Sequence, residues 1–245
     1  MKYAIRISYI GKGYSGWQIQ PDARSIQEEI ERALLKVTHE EIRITGAGRT
    51  DKGVNAAGQT ASFEIKREIK PEKLILALNF HLPEDIRILE AKEVSEDFNA
   101  RYSAKKREYR YFIYEGIACP PYLNDYVWWR KSLKKWDLVL AKKACKILEG
   151  EHNFRSFCRE VECPENSIRT LDRVKIRKIK NLIMLSVKGK SFLTNMIRIM
   201  VGNIDNVATG KKDFQWLEGL LGGKSRSESA MTVPASGLWF WRVEY

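Results

Sequence analysis

Cysteine and histidine are scarce: the 245 residues include 4 Cys and 3 His. Cys119, Cys145, Cys158 and Cys163 form no Cys-x-x-Cys pair, so the paired short loops of a zinc ribbon or finger are not encoded. A chain of this length can bury a core without disulfide staples. His152, Cys158 and Cys163 lie close in sequence, yet Phe154 and Phe157 stand among them like core residues. They read as reduced packing thiols, and no metal is expected. Long apolar runs are also missing. None approaches the roughly 20 residues that span a bilayer, so no membrane partner is expected. Met1 to Arg6 enters an alternating strand pattern at once, unlike a signal peptide. No Pro/Gly/Ser-rich linker and no tight repeat divides the chain. A cytoplasmic protein is the expectation.

What the chain has is positive charge. There are 43 Lys and Arg against 31 Asp and Glu, a formal net charge of +12. Residues 1–104 carry 16 of each sign, whereas residues 105–245 carry 27 basic and 15 acidic side chains. The whole surplus lies in the second part. Such asymmetry favours a polyanion partner, because each phosphate neutralised releases condensed counterions. Charge alone does not separate an enzyme from a binding module, nor either from a merely basic surface.

Tyr3, Ile5, Ile7 and Tyr9 alternate with polar or small residues, the period of a half-buried strand. Gly11 to Gly16 follows as a glycine-rich loop. Ser25 and Glu28 form a capping box before a helix with Ile26, Ile30, Ala33, Leu34 and Val37 on one face. Residues 59–66 and 85–89 read as strands, with a short helix opening at Pro71 between them. In the second part, residues 108–114 read as a strand, with Tyr109 and Tyr111 on one side. A helix is expected from Ser132 as cap to Gly150. Residues 171–187 suggest a hairpin turning at Lys180-Asn181, and apolar spacing predicts a helix over 192–207. A short helix over 213–221 and a strand over 238–245 close the chain. The pattern predicts an α+β fold: two similar α+β halves, each a mostly antiparallel sheet with helices on one face. The boundaries drawn are 1–104 and 105–245, the second half being the basic one.

Three segments invite chemistry. Gly11-Lys12-Gly13-Tyr14-Ser15-Gly16 matches G-x-G-x-x-G, but a dinucleotide site needs a helix to begin there, and Trp17 to Pro21 intervene. A flexible loop presenting Tyr14, Trp17 and Gln18 to a ligand and an ordinary turn both remain open. In Gly46-Ala47-Gly48-Arg49-Thr50-Asp51-Lys52-Gly53-Val54, glycines flank one carboxylate with a cation on each side. That arrangement suits an ionised, nucleophilic Asp51 approached closely by a ligand, or a surface turn in which Asp51 caps its own backbone. Glu108-Tyr109-Arg110-Tyr111 follows the basic run through Lys105, Lys106 and Arg107, an interleaving suited to unstacked bases and phosphates or to a strand with core tyrosines. Arg198 lies off the apolar stripe of its helix, which by itself reads as a solvated side chain.

Gly48-Arg49-Thr50-Asp51-x-Gly53-Val54 resembles the catalytic motif of the tRNA pseudouridine synthase A (TruA) family. The resemblance runs over essentially the whole chain. It takes in Tyr9-x-Gly11-x-x-Tyr14-x-Gly16-Trp17-Gln18-x-Gln20-Pro21, Asn79-x-x-Leu82-Pro83 and Phe98-x-Ala100-Arg101-x-Ser103-Ala104. Arg107 to Tyr111, Gly150-x-His152-x-Phe154-x-Ser156-Phe157, Phe192 to Gly202 around Met196-Ile197-Arg198, and Pro234-Ala235-x-Gly237-Leu238 also fit. Four positions depart: Asn55 and Asn195 stand where the family has histidine, Ile10 replaces an acid, and Asn153 an aspartate.

The resemblance implies an isomerase that converts uridine to pseudouridine at positions 38, 39 and 40 of the tRNA anticodon stem-loop, without a cofactor. Asp51 would be the catalytic carboxylate and Arg198 its ion-pair partner. Tyr109 would pack on the target base and move a proton from carbon. Arg49 would fill the space of the flipped base, and Leu238 would wall the pocket. Lys105, Lys106 and Arg107 would meet the RNA. The family fold places the catalytic loop in a central cleft between two halves sharing one sheet, and implies a homodimer.

Overall fold

The computed structural model describes residues 1–245. Its elements run, in order, β1 (Lys2–Tyr9), α1 (Ile26–Thr38), β2 (Thr45–Gly46), β3 (Asn55–Glu64), α2 (Pro71–His81) and β4 (Ile86–Glu93). There follow β5 (Lys106–Tyr114), β6 (Trp128–Trp129), α3 (Leu138–Leu148), β7 (Gly150–Asn153), β8 (Ile168–Ile179) and β9 (Leu182–Gly189). The chain ends with α4 (Met196–Ala208), α5 (Phe214–Leu220) and β10 (Leu238–Glu244). The fold is α+β.

The chain forms two compact units, Met1–Lys105 with Trp239–Tyr245, and Lys106–Leu238. In the first, β1 pairs antiparallel with β3 on one side and β4 on the other. β2 adds to β3, and the start of β10 runs parallel to β3, Trp239 opposite Asn55 and Phe240 opposite Ala56. The last strand therefore leaves the stretch that precedes it and completes the first unit's sheet. Tyr3, Ile5, Ile7 and Tyr9 are all buried, as their alternation predicts. Ser25 caps α1, its hydroxyl accepting the Glu28 amide at 3.3 Å, and Ile26, Ile30, Ala33 and Leu34 form the buried stripe.

In the second unit β5, β9 and β8 form an antiparallel ladder continued by β7. The β8–β9 turn falls at Lys180, whose φ of +51° fits a tight hairpin. α3 packs on β8 and on α4. It begins at Leu138, six residues after the expected cap. Asp137 takes the cap, its carboxylate accepting the amides of Val139 (2.7 Å) and Leu140 (3.1 Å). The preceding residues are held elsewhere. The Trp136 amide donates to buried Glu115 at 2.9 Å, its indole to Asp205 at 2.7 Å, and Arg130 donates to the Lys134 carbonyl at 2.5 Å. Arg130 also pairs with Asp205. This buried ion network holds the chain before Leu138 out of the helix, and Ser132, whose exposed hydroxyl donates to the Lys134 carbonyl at 3.4 Å, caps nothing.

Candidate active site

The Asp51 segment is a clamped turn. The Asp51 carbonyl accepts the Val54 amide at 3.1 Å, and Gly53 supplies the φ of +76° that a tight turn needs at its third position. Hydrogen bonds from several neighbours fix it. The Thr50 hydroxyl meets the buried Tyr9 hydroxyl at 2.8 Å, and the Thr50 carbonyl accepts the Trp17 amide at 3.0 Å. The Ala47 amide donates to Thr60, while the Gln59 side chain donates to the Gly48 carbonyl at 2.7 Å. Asn55 is wholly buried and accepts the Gly11 amide at 2.8 Å. Burial holds the Tyr9 hydroxyl far above its ordinary pKa, so it stays a neutral hydrogen-bonding post. Asp51 is half-buried at the apex, and Arg49 and Lys52 are exposed beside it.

The glycine-rich segment before α1 is the buttress of this turn. A Cβ on Gly11 would sit 2.2 Å from the Val54 carbonyl oxygen, and one on Gly16 would sit 2.5 Å from that of Thr50. A Cβ on Gly46 would meet the Trp17 indole at 2.6 Å. The glycines let two backbones touch. Tyr14 and Trp17 are buried, and the Tyr14 hydroxyl donates to Asp85 at 2.6 Å, so these aromatics are not presented to a ligand. Only Gln18 of the expected trio is exposed. No helix opens at this loop, and α1 begins at Ile26.

The second unit gathers a different set. Arg198 lies in the first turn of α4 and is held on both flanks: Nε donates to the Val233 carbonyl at 2.8 Å, Nη1 to the Asn195 side-chain oxygen at 2.7 Å. It is not a solvated side chain. Asn195, at φ +60°, is the left-handed residue from which α4 starts, which is why the helix is shorter than its apolar spacing predicts. Tyr111 is wholly buried, donates to the Pro234 carbonyl at 2.7 Å and feels the Arg198 charge; burial pushes its pKa up against that charge. Pro234 to Leu238 lies across Tyr111, since a Cβ on Gly237 would come within 2.8 Å of the Tyr111 ring. Leu238 is buried at the end of this strap. Tyr109, one pleat away on β5, is nearly buried, with the Phe192 ring edge-on at 5.0 Å. Tyr111, Arg198 and the 233–238 strap thus come together in one unit, and Asp51 and Arg49 belong to the other.

Lys105 is exposed, Lys106 pairs with Asp172 at 2.7 Å, and Arg107 donates to the Lys190 carbonyl at 2.6 Å. The strand register adds cations that sequence reading did not single out. Across β5, β9 and β8, Glu108, Lys188 and Arg173 share one row, Arg110, Ser186 and Lys175 the next, and Phe112, Met184 and Arg177 a third. Arg173 thus sits directly opposite Lys188, a like charge, with Glu108 opposite Lys188 on its other side. The Arg173 Nε is buried without a hydrogen-bond partner. Burial pushes the Cys158 thiol up to about 12, which opposes the thiolate that a zinc ligand requires.

An α+β fold with a basic sheet face and a buttressed carboxylate fits the pseudouridine synthases, isomerases that act on RNA. A family model described as tRNA pseudouridine synthase matches residues 5–103 and 144–245, and the chain belongs to that family. It is 38% identical over 241 residues to tRNA pseudouridine synthase A of Finegoldia magna, covering 98% of both chains. It is 40% identical to that of Brachyspira hyodysenteriae, covering 98% of this chain and 96% of the relative. It is 37% identical to that of Shouchella clausii, covering 100% and 93%. A solved archaeal box H/ACA ribonucleoprotein chain aligns with 84% of this chain and 43% of its own length, at 12% identity and a TM-score of 0.34. No helix is long and apolar enough to cross a membrane.

Proposed function

We propose that this chain converts uridine to pseudouridine at positions 38, 39 and 40 of the tRNA anticodon stem-loop, with Asp51 as the catalytic carboxylate. The observation that carries this reading is the Asp51 turn, fixed through Thr50, Gly53 and Asn55 by hydrogen bonds and glycine contacts that leave it little freedom. A reacting group held this way meets the substrate without first losing entropy.

The reaction breaks the bond from N1 of uracil to C1′ of ribose, turns the base and joins C5 to C1′. C5 loses a proton and N1 gains one, so atoms and electrons balance within the substrate. Asp51 assists departure of the base. Arg198, paired with Asp51, keeps it ionised and aimed. Tyr109 packs on the base and carries the C5 proton away. Arg49 enters the space of the flipped nucleotide, whose unstacking costs a few kcal/mol and less near a loop than within a duplex. Leu238 walls the pocket and keeps out water that would trap the cleaved sugar. Lys105, Lys106, Arg107 and the β5–β9–β8 face bind the RNA backbone. The enzyme works in the cytoplasm as a homodimer, so that one tRNA touches two subunits.

Mass spectrometry of tRNA incubated with the protein, with the modified positions mapped, tests the reading. Pseudouridine at 38, 39 or 40 is the expected product. Asp51→Asn is expected to abolish it while tRNA binding persists. Normal turnover in that variant refutes the role of Asp51, and pseudouridine only at other positions refutes the site assignment.

A further inference from the structure

A cavity of about 580 Å³ opens in the second unit, beside Arg198. Its walls include the guanidiniums of Arg159, Arg198 and Arg226, the hydroxyl residue Thr232 and, at the rim, Glu160. Three arginines line it with one carboxylate, and Arg159 is shared with Glu162 at 2.9 Å. Asn195 also lines it, so the cavity meets the N-terminal end of the 13-residue helix α4, where the helix dipole favours negative charge.

Arg226 is the informative residue. Its guanidinium is half-buried, and burial alone pulls its pKa down. It donates two long hydrogen bonds, to the Ser229 carbonyl at 3.3 Å and the Thr232 hydroxyl at 3.2 Å. No carboxylate pairs with it, and Glu228 on the same turn is taken by Lys224 at 3.1 Å. A guanidinium has five N–H donors in a fixed fork matched to phosphate oxygens. Removing such a cation from water without a counter-charge is unfavourable, and an anion in the cavity reverses the sign. The lining is too polar for a stacked base, with Ala230 and the largely exposed Met231 as its apolar members.

We propose that this cavity is a phosphate subsite that takes a backbone phosphodiester of the tRNA strand carrying the target uridine, gripped by Arg226 with help from Arg159. The assignment rests on the proposed role of Arg198, which places the reacting nucleotide next to the cavity. Flipping a nucleotide swings its flanking phosphates, and a cation fork beside the pocket holds one of them in the swung position.

Equilibrium binding of tRNA to the full-length chain is measured across a salt series, in an Asp51→Asn background so that substrate is not consumed. Arg226→Gln is expected to weaken binding about tenfold at low salt and to reduce the salt slope by about 1. Arg226→Lys recovers part of both, because charge returns without the fork. Glu160→Gln is expected to tighten binding, since it removes a negative charge that lines the cavity. If Arg226→Gln fails to fold, the Glu160→Gln result decides, and unchanged or weaker binding overturns the proposal. Anticodon stem-loops carrying a single methylphosphonate give the second arm. The neutralised position next to the target uridine weakens the unaltered Arg226 protein and leaves Arg226→Gln indifferent. Equal losses at every position overturn the proposal. So does a cavity that serves inorganic phosphate alone, seen as a phosphate-induced rise in Tm that needs Arg226 while the RNA salt slope does not. Wild-type protein that makes no pseudouridine yet shows the methylphosphonate coupling sinks the enzymatic reading and leaves the subsite standing.

Discussion

Gly11→Ala tests whether the glycine-rich segment exists to hold the Asp51 turn. The new Cβ would stand 2.2 Å from the Val54 carbonyl oxygen, where ordinary contact begins at 3.4 Å. Both partners are backbone, so no side chain can swing aside, and the two strands of chain must part by about 1 Å. The Gly11 amide is also tied to Asn55 at 2.8 Å, and the Val54 amide to the Asp51 carbonyl at 3.1 Å. The displacement therefore passes straight to Asp51. A reacting group misplaced by about 1 Å loses on the order of 100-fold in rate. Overpacking of this kind costs about 1–3 kcal/mol, or roughly 2–10 °C in Tm for a chain of this size. Gly13 provides the control. It has φ +87° with nothing within 4 Å of its would-be Cβ, so Gly13→Ala meets backbone strain of about 1–2 kcal/mol and no neighbour. The assay is single-turnover release of tritium from C5 of labelled uridine in tRNA, beside thermal melts. Both variants are expected to melt earlier, and only Gly11→Ala to lose its rate while keeping its affinity for tRNA. A folded Gly11→Ala with wild-type turnover, or a Gly13→Ala as slow as Gly11→Ala, refutes the buttress.

Arg198→Ala removes the donor held by Val233 and Asn195, and is expected to cut turnover by about 100-fold with a much smaller change in tRNA affinity; equal losses in both point to a plain binding residue. Arg173→Gln relieves the like-charge pairing with Lys188, so it is expected to keep or raise Tm by a small margin while lowering the salt slope of tRNA binding by about 1. A destabilised variant with an unaltered slope contradicts the RNA-facing assignment of that sheet face. The Cys145 thiol is pushed by burial from its ordinary 9.0 up to about 12. Its neutral form is favoured by the fold, so the stability linked to it is complete below pH 9 and drains away as pH rises towards 12. Melts in that window are expected to flatten in Cys145→Ala, and an identical pH profile in the two proteins removes Cys145 as a cause.

Regular elements were legible because their signals are local. The alternation of Tyr3 to Tyr9, the Ser25 cap and the Lys180 turn each state their own conformation, and all three stand in the fold where their residues place them. The start of α3 was not legible, since Glu115, Arg130 and Asp205, distant in sequence, claim the residues around Trp136 before any cap can. The segment from Gly11 to Trp17 misled in a similar way. Its glycines and aromatics look like a ligand loop until one knows that Val54 and Thr50 press against them. Arg226 and Arg159 carry no motif, and what singles them out is one shared cavity and the lack of a carboxylate beside Arg226, which are facts of three dimensions.

Asn55 and Asn195, at two positions where the resemblance implies histidine, each aim an amide oxygen at a fixed donor. Asn55 accepts from the Gly11 amide, and Asn195 accepts from the Arg198 guanidinium. Neutral imidazole can accept through one ring nitrogen, but below a pH of about 6.5 it becomes donor-only and positively charged. Opposite Arg198 that charge would repel the group it has to hold. An amide oxygen accepts at any pH, and asparagine also tolerates the left-handed backbone at position 195, φ +60°. Each position therefore holds an acceptor aimed at a fixed donor, supplied by a side chain that acid cannot switch off.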